Sequence, residues 1–374
     1  MVSEAHITNR RAFLKRLAGA SAGLFVLACQ QAPPAAGPAK PTEAPKPAAP
    51  VAPPAAAPAA TSAPAAQAVP ASKAALAPIK IGLQANVLAV PTKVAIDTDS
   101  FTKYGLKVEP VKFEAGGNIV RDAIIADQVE AGTFFVATFI VGAATGRVAA
   151  YLTSHEVNRG SGIIVKPDIK TFADLKGKRI GGSRGASVSQ ILENKVLPAN
   201  GVNKTDYTWV PLGSGGADQF GAFLADQIDA YASVEPFLSM GVSKGKGALL
   251  SDYSKYDPMP IFVAGPTGFA ERNPDSVVAL IKGWLDMAKF WKENPAKVFD
   301  LAKAYLSGGD EKVEEDDLQA SLARVDMKPD LSRSILDPYL KETADLLLSV
   351  GNIKEIPDWS KTVRYELWDK ATKA

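Results

Sequence analysis

Residues 178–187 read Lys178-Arg179-Ile180-Gly181-Gly182-Ser183-Arg184-Gly185-Ala186-Ser187, and a run to Leu197 follows. Lys178 to Gly181 suits a short strand, the small residues after it suit a tight turn, and Ser187 to Leu197 reads as a helix. A strand that turns at once into a helix is the repeating unit of sheets covered by helices. The fold therefore depends on whether the same rhythm recurs on either side.

It does. Upstream, Ile79, Ile81 and Leu83 alternate with Lys80 and Gly82 as in a strand. Helical sequence with Val94 follows, then a turn at Gly105 and a strand around Leu106 and Val108. Arg121 to Gln128 reads as a helix, and Val148 to Leu152 and Gly162 to Val165 as strands. Downstream, Tyr207 to Leu212 and Ile228 to Val234 read as strands. After Pro260-Ile261-Phe262-Val263 the chain turns helical and stays so. Asn273-Pro274 reads as an N-cap with proline in the first helical position. Val277, Ile281, Trp284, Ala288 and Trp291 then mark one apolar face. Asp337-Pro338 reads as the start of a further helix that Gly351 closes. The class is α/β.

Gly181-Gly182-Ser183-Arg184-Gly185 also matches G-x-S-x-G, the elbow that presents a serine nucleophile in α/β-hydrolases. Those enzymes need a histidine after the serine, and none follows Ser183. Two readings are left. One is an anion cradle, in which helix-start amides, Ser183, Ser187 and Arg184 face a ligand. The other is a plain tight turn of small residues. Gly213-Ser214-Gly215-Gly216-Ala217-Asp218 lacks the third glycine of a dinucleotide fingerprint and any Walker lysine, so it reads as a strand-to-helix loop lining a cleft. Gly116-Gly117-Asn118 stands in a similar place after the strand near Phe113. Loops at the C-terminal ends of strands are where α/β sheets hold ligands. Phe134, Phe135 and Trp209 either wall a pocket or belong to the core. Glu311 to Asp317 reads as a solvated helix start.

Composition narrows the function classes. The chain has 42 Lys and Arg against 40 Asp and Glu. Removing a leader that ends before Cys29 takes Arg10, Arg11, Lys15, Arg16 and Glu4 with it and leaves 38 against 39. Such balance gives no basic excess for nucleic acid. Cys29 is the single cysteine, so no disulfide within the chain is possible. After the leader only His155 remains of two histidines, which excludes a His/Cys zinc site. No metal or cofactor is expected.

The first residues speak of location. Arg10-Arg11, then Phe13-Leu14-Lys15, an apolar run from Leu17 and Val26-Leu27-Ala28-Cys29 have the layout of a secretory signal. The arginine pair resembles a twin-arginine signal, with Asn9 where Ser or Thr is usual. Val-Leu-Ala-Cys resembles a lipobox, in which Cys29 is lipidated; the alternative is a plain signal with an incidental cysteine. The apolar run falls short of the about 20 residues a spanning helix needs. From Gln30 to Pro78 the chain is mostly Ala and Pro, a composition that cannot offset its ordering entropy by burial and so acts as a disordered spacer. It could reach on the order of 150 Å.

Taken in order, several segments resemble one family over residues 79 to 374: the substrate-binding proteins of ABC importers for nitrate, taurine and alkanesulfonates, which share their fold with thiamine-pyrimidine binders. The segments are Ile79 to Gly82, Tyr104 to Glu109, Asp127 to Gly132, Phe172 to Lys178, Asp229-Ala230 with Glu235-Pro236, and Asn273 to Asn294-Pro295. Asp127 and Glu130 depart from the usual Gly and Asp of their motif. The resemblance implies a type II periplasmic-binding-protein fold, with two α/β lobes joined by two crossing strands and closing like a hinge. Lobe one is expected at 79–162 plus 262–374 and lobe two at 163–261, with crossings near Ser161 to Val165 and Met259 to Val263. It also implies a non-enzymatic, monomeric receptor that serves an ABC permease and its ATPase. The ligand loops carried over hold Gln84, Asn86, Gly116, Gly117, Asn118, Phe134, Phe135, Thr138, Ser183, Arg184, Gly185, Ala186, Ser187, Gly213, Ser214, Ser233 and Glu235. The ligand expected is a small anion such as a sulfonate, a carboxylate or nitrate; the alternative is a pyrimidine or another ring.

Overall fold

The computed structural model describes residues 75–84, 86–113, 116–154, 159–183, 185–213, 216–307 and 313–373. The leader, Cys29, the spacer up to residue 74, His155, Arg184 and Ser214 lie outside the described residues.

Alternation of Ile79, Ile81 and Leu83 with the exposed Lys80 makes β1 (Ile79–Gln84), and all three apolar side chains are buried. β1 pairs in parallel with β2 (Val108–Phe113) on one side and β3 (Ala131–Phe135) on the other. Helices α1 (Val90–Asp97), α2 (Gly117–Ile125) and α3 (Val136–Ala143) lie between and after these strands. β4 (Val148–Ser154) and β10 (Ile261–Pro266) complete the sheet in antiparallel register with a short β11 (Pro329–Asp330), in the order β11-β4-β10-β3-β1-β2.

A second sheet has the order β7-β6-β8-β5-β9. Its strands are β5 (Ser161–Val165), β6 (Arg179–Ser183), β7 (Thr208–Leu212), β8 (Ala230–Val234) and β9 (Ala248–Asp252). Helices α4 (Ser187–Ile191), α5 (Gly216–Leu224) and α6 (Phe237–Ser243) belong to this half. After β10 come α7 (Thr267–Arg272), α8 (Pro274–Glu293), α9 (Pro295–Leu306), α10 (Glu315–Leu322), α11 (Arg333–Ser349) and α12 (Tyr365–Thr372). Val277, Ile281, Trp284 and Ala288 of α8 are buried in the core between this helix and the first sheet. A separate core runs from Phe134, Phe139 and Phe262 of the first half to Ile163, Ile180 and Val188 of the second.

Several expected boundaries move. α2 begins at Gly117, four residues before Arg121, because Gly116 at φ 87° makes the sharp turn that lets the helix start early. The helix expected from Ser187 to Leu197 holds five residues and then widens into a π turn over Leu192–Val196. α11 begins at Arg333 with Pro338 inside it, where the reading had Pro338 at the start. Asn273 holds the cap position, yet its side chain turns back to donate to the Phe269 carbonyl at 3.4 Å. Asp317, read as solvated, is buried. The chain passes between the sheets from Ser154 to Ser161 and returns between Asp252 and Ile261, a few residues before the crossings expected. β5 lies wholly in the second sheet.

Candidate functional site

Strand direction fixes where the loops gather. In the first sheet β1, β2 and β3 run in parallel and end at Gln84, Phe113 and Phe135; β4 runs the same way and ends, and the antiparallel β10 begins, at that same edge. In the second sheet β6, β7 and β8 end at Ser183, Leu212 and Val234, where β5 begins and β9 ends. Both passages of chain leave from these edges. The C-terminal ends of the parallel strands in the two halves therefore face the same crossing region.

The described residues show how the expected loops are joined. Gln84 is buried, and its Nε2 donates to the Thr133 carbonyl. Asn86 Nδ2 donates to Gln84 Oε1 at 3.3 Å, and Asn86 Oδ1 accepts from the Leu88 amide at 3.0 Å. Tyr305 of α9 donates its hydroxyl to the Gln84 carbonyl at 2.6 Å, and burial pushes that phenol up to about 12, so it stays a donor. Thr138 Oγ1 and Arg121 Nη1 each donate to Asn118 Oδ1 at 3.3 Å, which ties α2 to α3. A side chain on Gly117 would meet Phe134 Cβ at 2.8 Å, so only glycine lets α2 start so close to β3.

In the second half, Ser183 Oγ donates to the Gly213 carbonyl, and Gln219 Nε2 donates to both Ser183 Oγ and that carbonyl at 2.8 Å. The ends of β6 and β7 are thereby locked to α5. The halves meet directly where the Ala137 amide, in the first turn of α3, donates to Ser187 Oγ at 3.1 Å. Gly185, Ala186 and Ser187 connect β6 to α4, and Ser233 is buried near the end of β8.

Three expected residues stand elsewhere than a ligand wall. Phe134 is 1% exposed in the core. Trp209 lies against Gly182 and Ser189, since a Cβ on Gly182 would fall 2.4 Å from the indole and 2.7 Å from Ser189 Oγ. Phe135 remains half-buried at the strand end. Glu235, expected to face the ligand, is 2% exposed and fully engaged. Its carboxylate accepts from Ser239 N at 3.1 Å, Ser239 Oγ at 3.2 Å, Ser321 Oγ at 3.0 Å and Arg324 Nη1. An unpaired buried carboxylate is costly, so the nearest cation takes it, and that cation is Arg324.

Sequence reading missed Gln219, Ser321, Arg324, Lys195, Asp257 and Tyr339. Gln219 had a local signal, a polar residue beside Phe220 next to a glycine loop. Arg324 had none, since it meets Glu235 from 89 positions away. Among the described residues no group of three or more His, Cys, Asp or Glu side chains could hold a metal ion. A cavity of about 640 Å³ lined by Arg147, Thr267, Arg272, Glu355 and Lys361 opens at the opposite edge of the first sheet, where β4 begins and β10 ends.

Residues 72–306 match the model of the NMT1-like family. Over 170 residues the chain is 26% identical to an Escherichia coli (strain K12) protein named for binding aliphatic sulfonates; the match spans 45% of this chain and 52% of that relative. The fold superposes on the alkanesulfonate-binding protein SsuA from Xanthomonas axonopodis pv. citri bound to MOPS, with TM-score 0.67 and 22% identity over 78% of this chain and 99% of that one. It also superposes on the periplasmic nitrate-binding protein NrtA from Synechocystis PCC 6803, with TM-score 0.62 and 17% identity over 80% and 89% of the two chains. At these identities the two structures share the periplasmic-binding-protein fold with this chain.

Proposed function

The chain belongs to the NMT1-like family, and from that premise we propose that it is an extracytoplasmic solute receptor that holds a small ligand between two lobes and delivers it to an ABC importer. The observation that carries the reading is the facing of the two sets of strand ends, bridged by the Ala137 amide and Ser187. The lobes are the two sheet-bearing halves, and their boundaries fall in the passages 155–160 and 253–260. It is a receptor and not an enzyme.

The ligand is a small anion of the sulfonate, carboxylate or nitrate kind. Two features support this. Among the expected ligand residues that are described, Glu235 alone is charged, and Arg324 neutralises it; the carboxylate of Asp218 lies exposed beside Gly213. The remaining side chains offer neutral amide and hydroxyl groups: Gln84, Asn86, Asn118, Thr138, Ser183 and Ser187. A ring-bearing ligand such as a pyrimidine loses two of its three aromatic walls, because Phe134 is core and Trp209 packs on Gly182. Export follows the twin-arginine pair Arg10-Arg11, and Cys29 carries a lipid anchor that keeps the receptor at the membrane. Among the described residues no helix is long and apolar enough to cross one.

A thermal-shift panel of sulfonates, carboxylates, nitrate and pyrimidines tests the ligand class. A ligand at 100 times its Kd adds about 2.7 kcal/mol of stability. Stabilisation by the anions that is lost in Arg184→Ala is the expected result. Stabilisation by neutral rings alone, unchanged in that variant, would overturn the anion reading. For the anchor, Cys29→Ser is expected to release the protein from the membrane fraction.

A further inference from the structure

Each passage between the two halves has a buried carboxylate beside it, bound from both sides. At the first, the Glu235 amide donates to the Gly160 carbonyl at 3.0 Å. The Glu235 carboxylate then takes Ser239 from its own half, and Ser321 and Arg324 from the end of α10 in the other. At the second, Asp257 lies inside the passage and is 2% exposed. It accepts from Lys195 Nζ in the second half at 2.6 Å, from the Tyr339 hydroxyl of α11 in the first half at 2.6 Å, and from the Met259 amide at 2.7 Å. Lys195 also reaches Glu342 of α11 at 2.8 Å. Met259 has φ 33°, a left-handed backbone that an unbranched apolar side chain gains nothing from, and the Asp257 carboxylate holds it there.

Residues beside a hinge axis move least when two bodies rotate, and a buried ion pair is costly to separate. We infer that Glu235 with Arg324, and Asp257 with Lys195 and Tyr339, are paired pivots: positioning residues that stay engaged as the halves open and close and set their register for ligand binding. They touch no ligand themselves. The Ala137–Ser187 bond, across the strand ends, is the contact that breaks on opening. This rests on the receptor reading for its moving halves. Removing a donor from across the passage unfixes that register, so the strand ends meet at Ala137 and Ser187 for a smaller share of the time.

Hydrogen exchange of the whole chain, with no ligand added, measures this. The Ala137 amide is protected by Ser187 only while the halves meet, whereas amides inside β5 and β10 report each half's own stability. In Arg324→Gln and in the milder Tyr339→Phe, exchange at Ala137 is expected to rise about tenfold or more, the equivalent of one hydrogen bond to a charged group, while β5 and β10 keep their protection. Arg324→Lys is expected to restore part of the loss. If Arg324→Gln fails to fold, Tyr339→Phe decides the matter alone. Parallel loss of protection at Ala137 and in both strands would make the clusters merely structural and overturn the inference, as would unchanged exchange at Ala137. Since no ligand enters the test, a failed ligand screen counts against the receptor reading and leaves the pivots standing.

Discussion

The rim of the proposed cleft and the two passages beside it use polarity in opposite ways. At the rim, Gln84, Asn86, Asn118, Thr138, Ser183 and Ser187 present amides and hydroxyls, each held by a neighbouring side chain or backbone group. At the passages, Glu235 and Asp257 are buried carboxylates, each answered by one cation and by hydroxyl or amide donors. Neutral groups can trade one partner for another at lower cost, which fits the opening and ligand capture proposed above. A buried charge cannot, so it suits a point whose geometry must not change.

The contrast can be broken most directly at Asp257. Asp257→Ala leaves Tyr339 and the Met259 amide without their acceptor and Lys195 with Glu342 alone, and we expect a loss of about 3–5 kcal/mol in urea unfolding. A loss as small as that of a surface charge would erase the distinction between passage and rim. The rim counterpart is Gln219→Leu, which removes two donated bonds but leaves Ser183 still bonded to the Gly213 carbonyl. A loss of about 1–2 kcal/mol is expected, read from the same unfolding curves. The smallest change is Glu342→Gln, since the Glu342 side chain is 67% exposed. Its effect should stay within about 0.5 kcal/mol.

Titration sharpens the same contrast. Burial works against the charge on Lys195, but its hydrogen bonds to Asp257 and Glu342 outweigh that and hold it above the ordinary lysine range. A group raised in the folded state contributes fully below its unfolded value, about 10.4, and its contribution fades as pH climbs through the raised one. Tyr339 is likewise pushed up, by burial first and by Asp257 second, and remains a donor. Unfolding midpoints measured from pH 7 upward should therefore show this cluster intact across neutrality and weakening only in the alkaline range. In Lys195→Met the lysine's share of that alkaline component should be missing, while that of Tyr339 remains.

Much of the scaffold was legible along the chain. Alternation at Ile79, Ile81 and Leu83 and the periodic face of α8 are local patterns, and each reports its own burial. The glycine-rich loops after Phe113 and Leu212 marked strand ends, whereas β6 runs past Gly181 to Ser183. Pro338 misled because proline at a helix start is common, and nothing local told that Ser332 had already opened the helix. Trp209 was ambiguous because an aromatic residue on a strand has two faces to choose from, and the choice here depends on the room at Gly182, beside Ser189 of α4.

By itself the sequence determined the alternation of strands and helices, the positions of the loops, the near-neutral charge and the family resemblance, since all of these are written in neighbouring residues. The tertiary structure alone decided what becomes of the charges. Glu235 could be read as facing a ligand until Arg324 was found 89 positions away beside it, and Asp257 drew no notice until Lys195 and Tyr339 closed on it from either half. A carboxylate's role is set by whichever donors reach it when water is removed, and those donors come from wherever the chain happens to fold back.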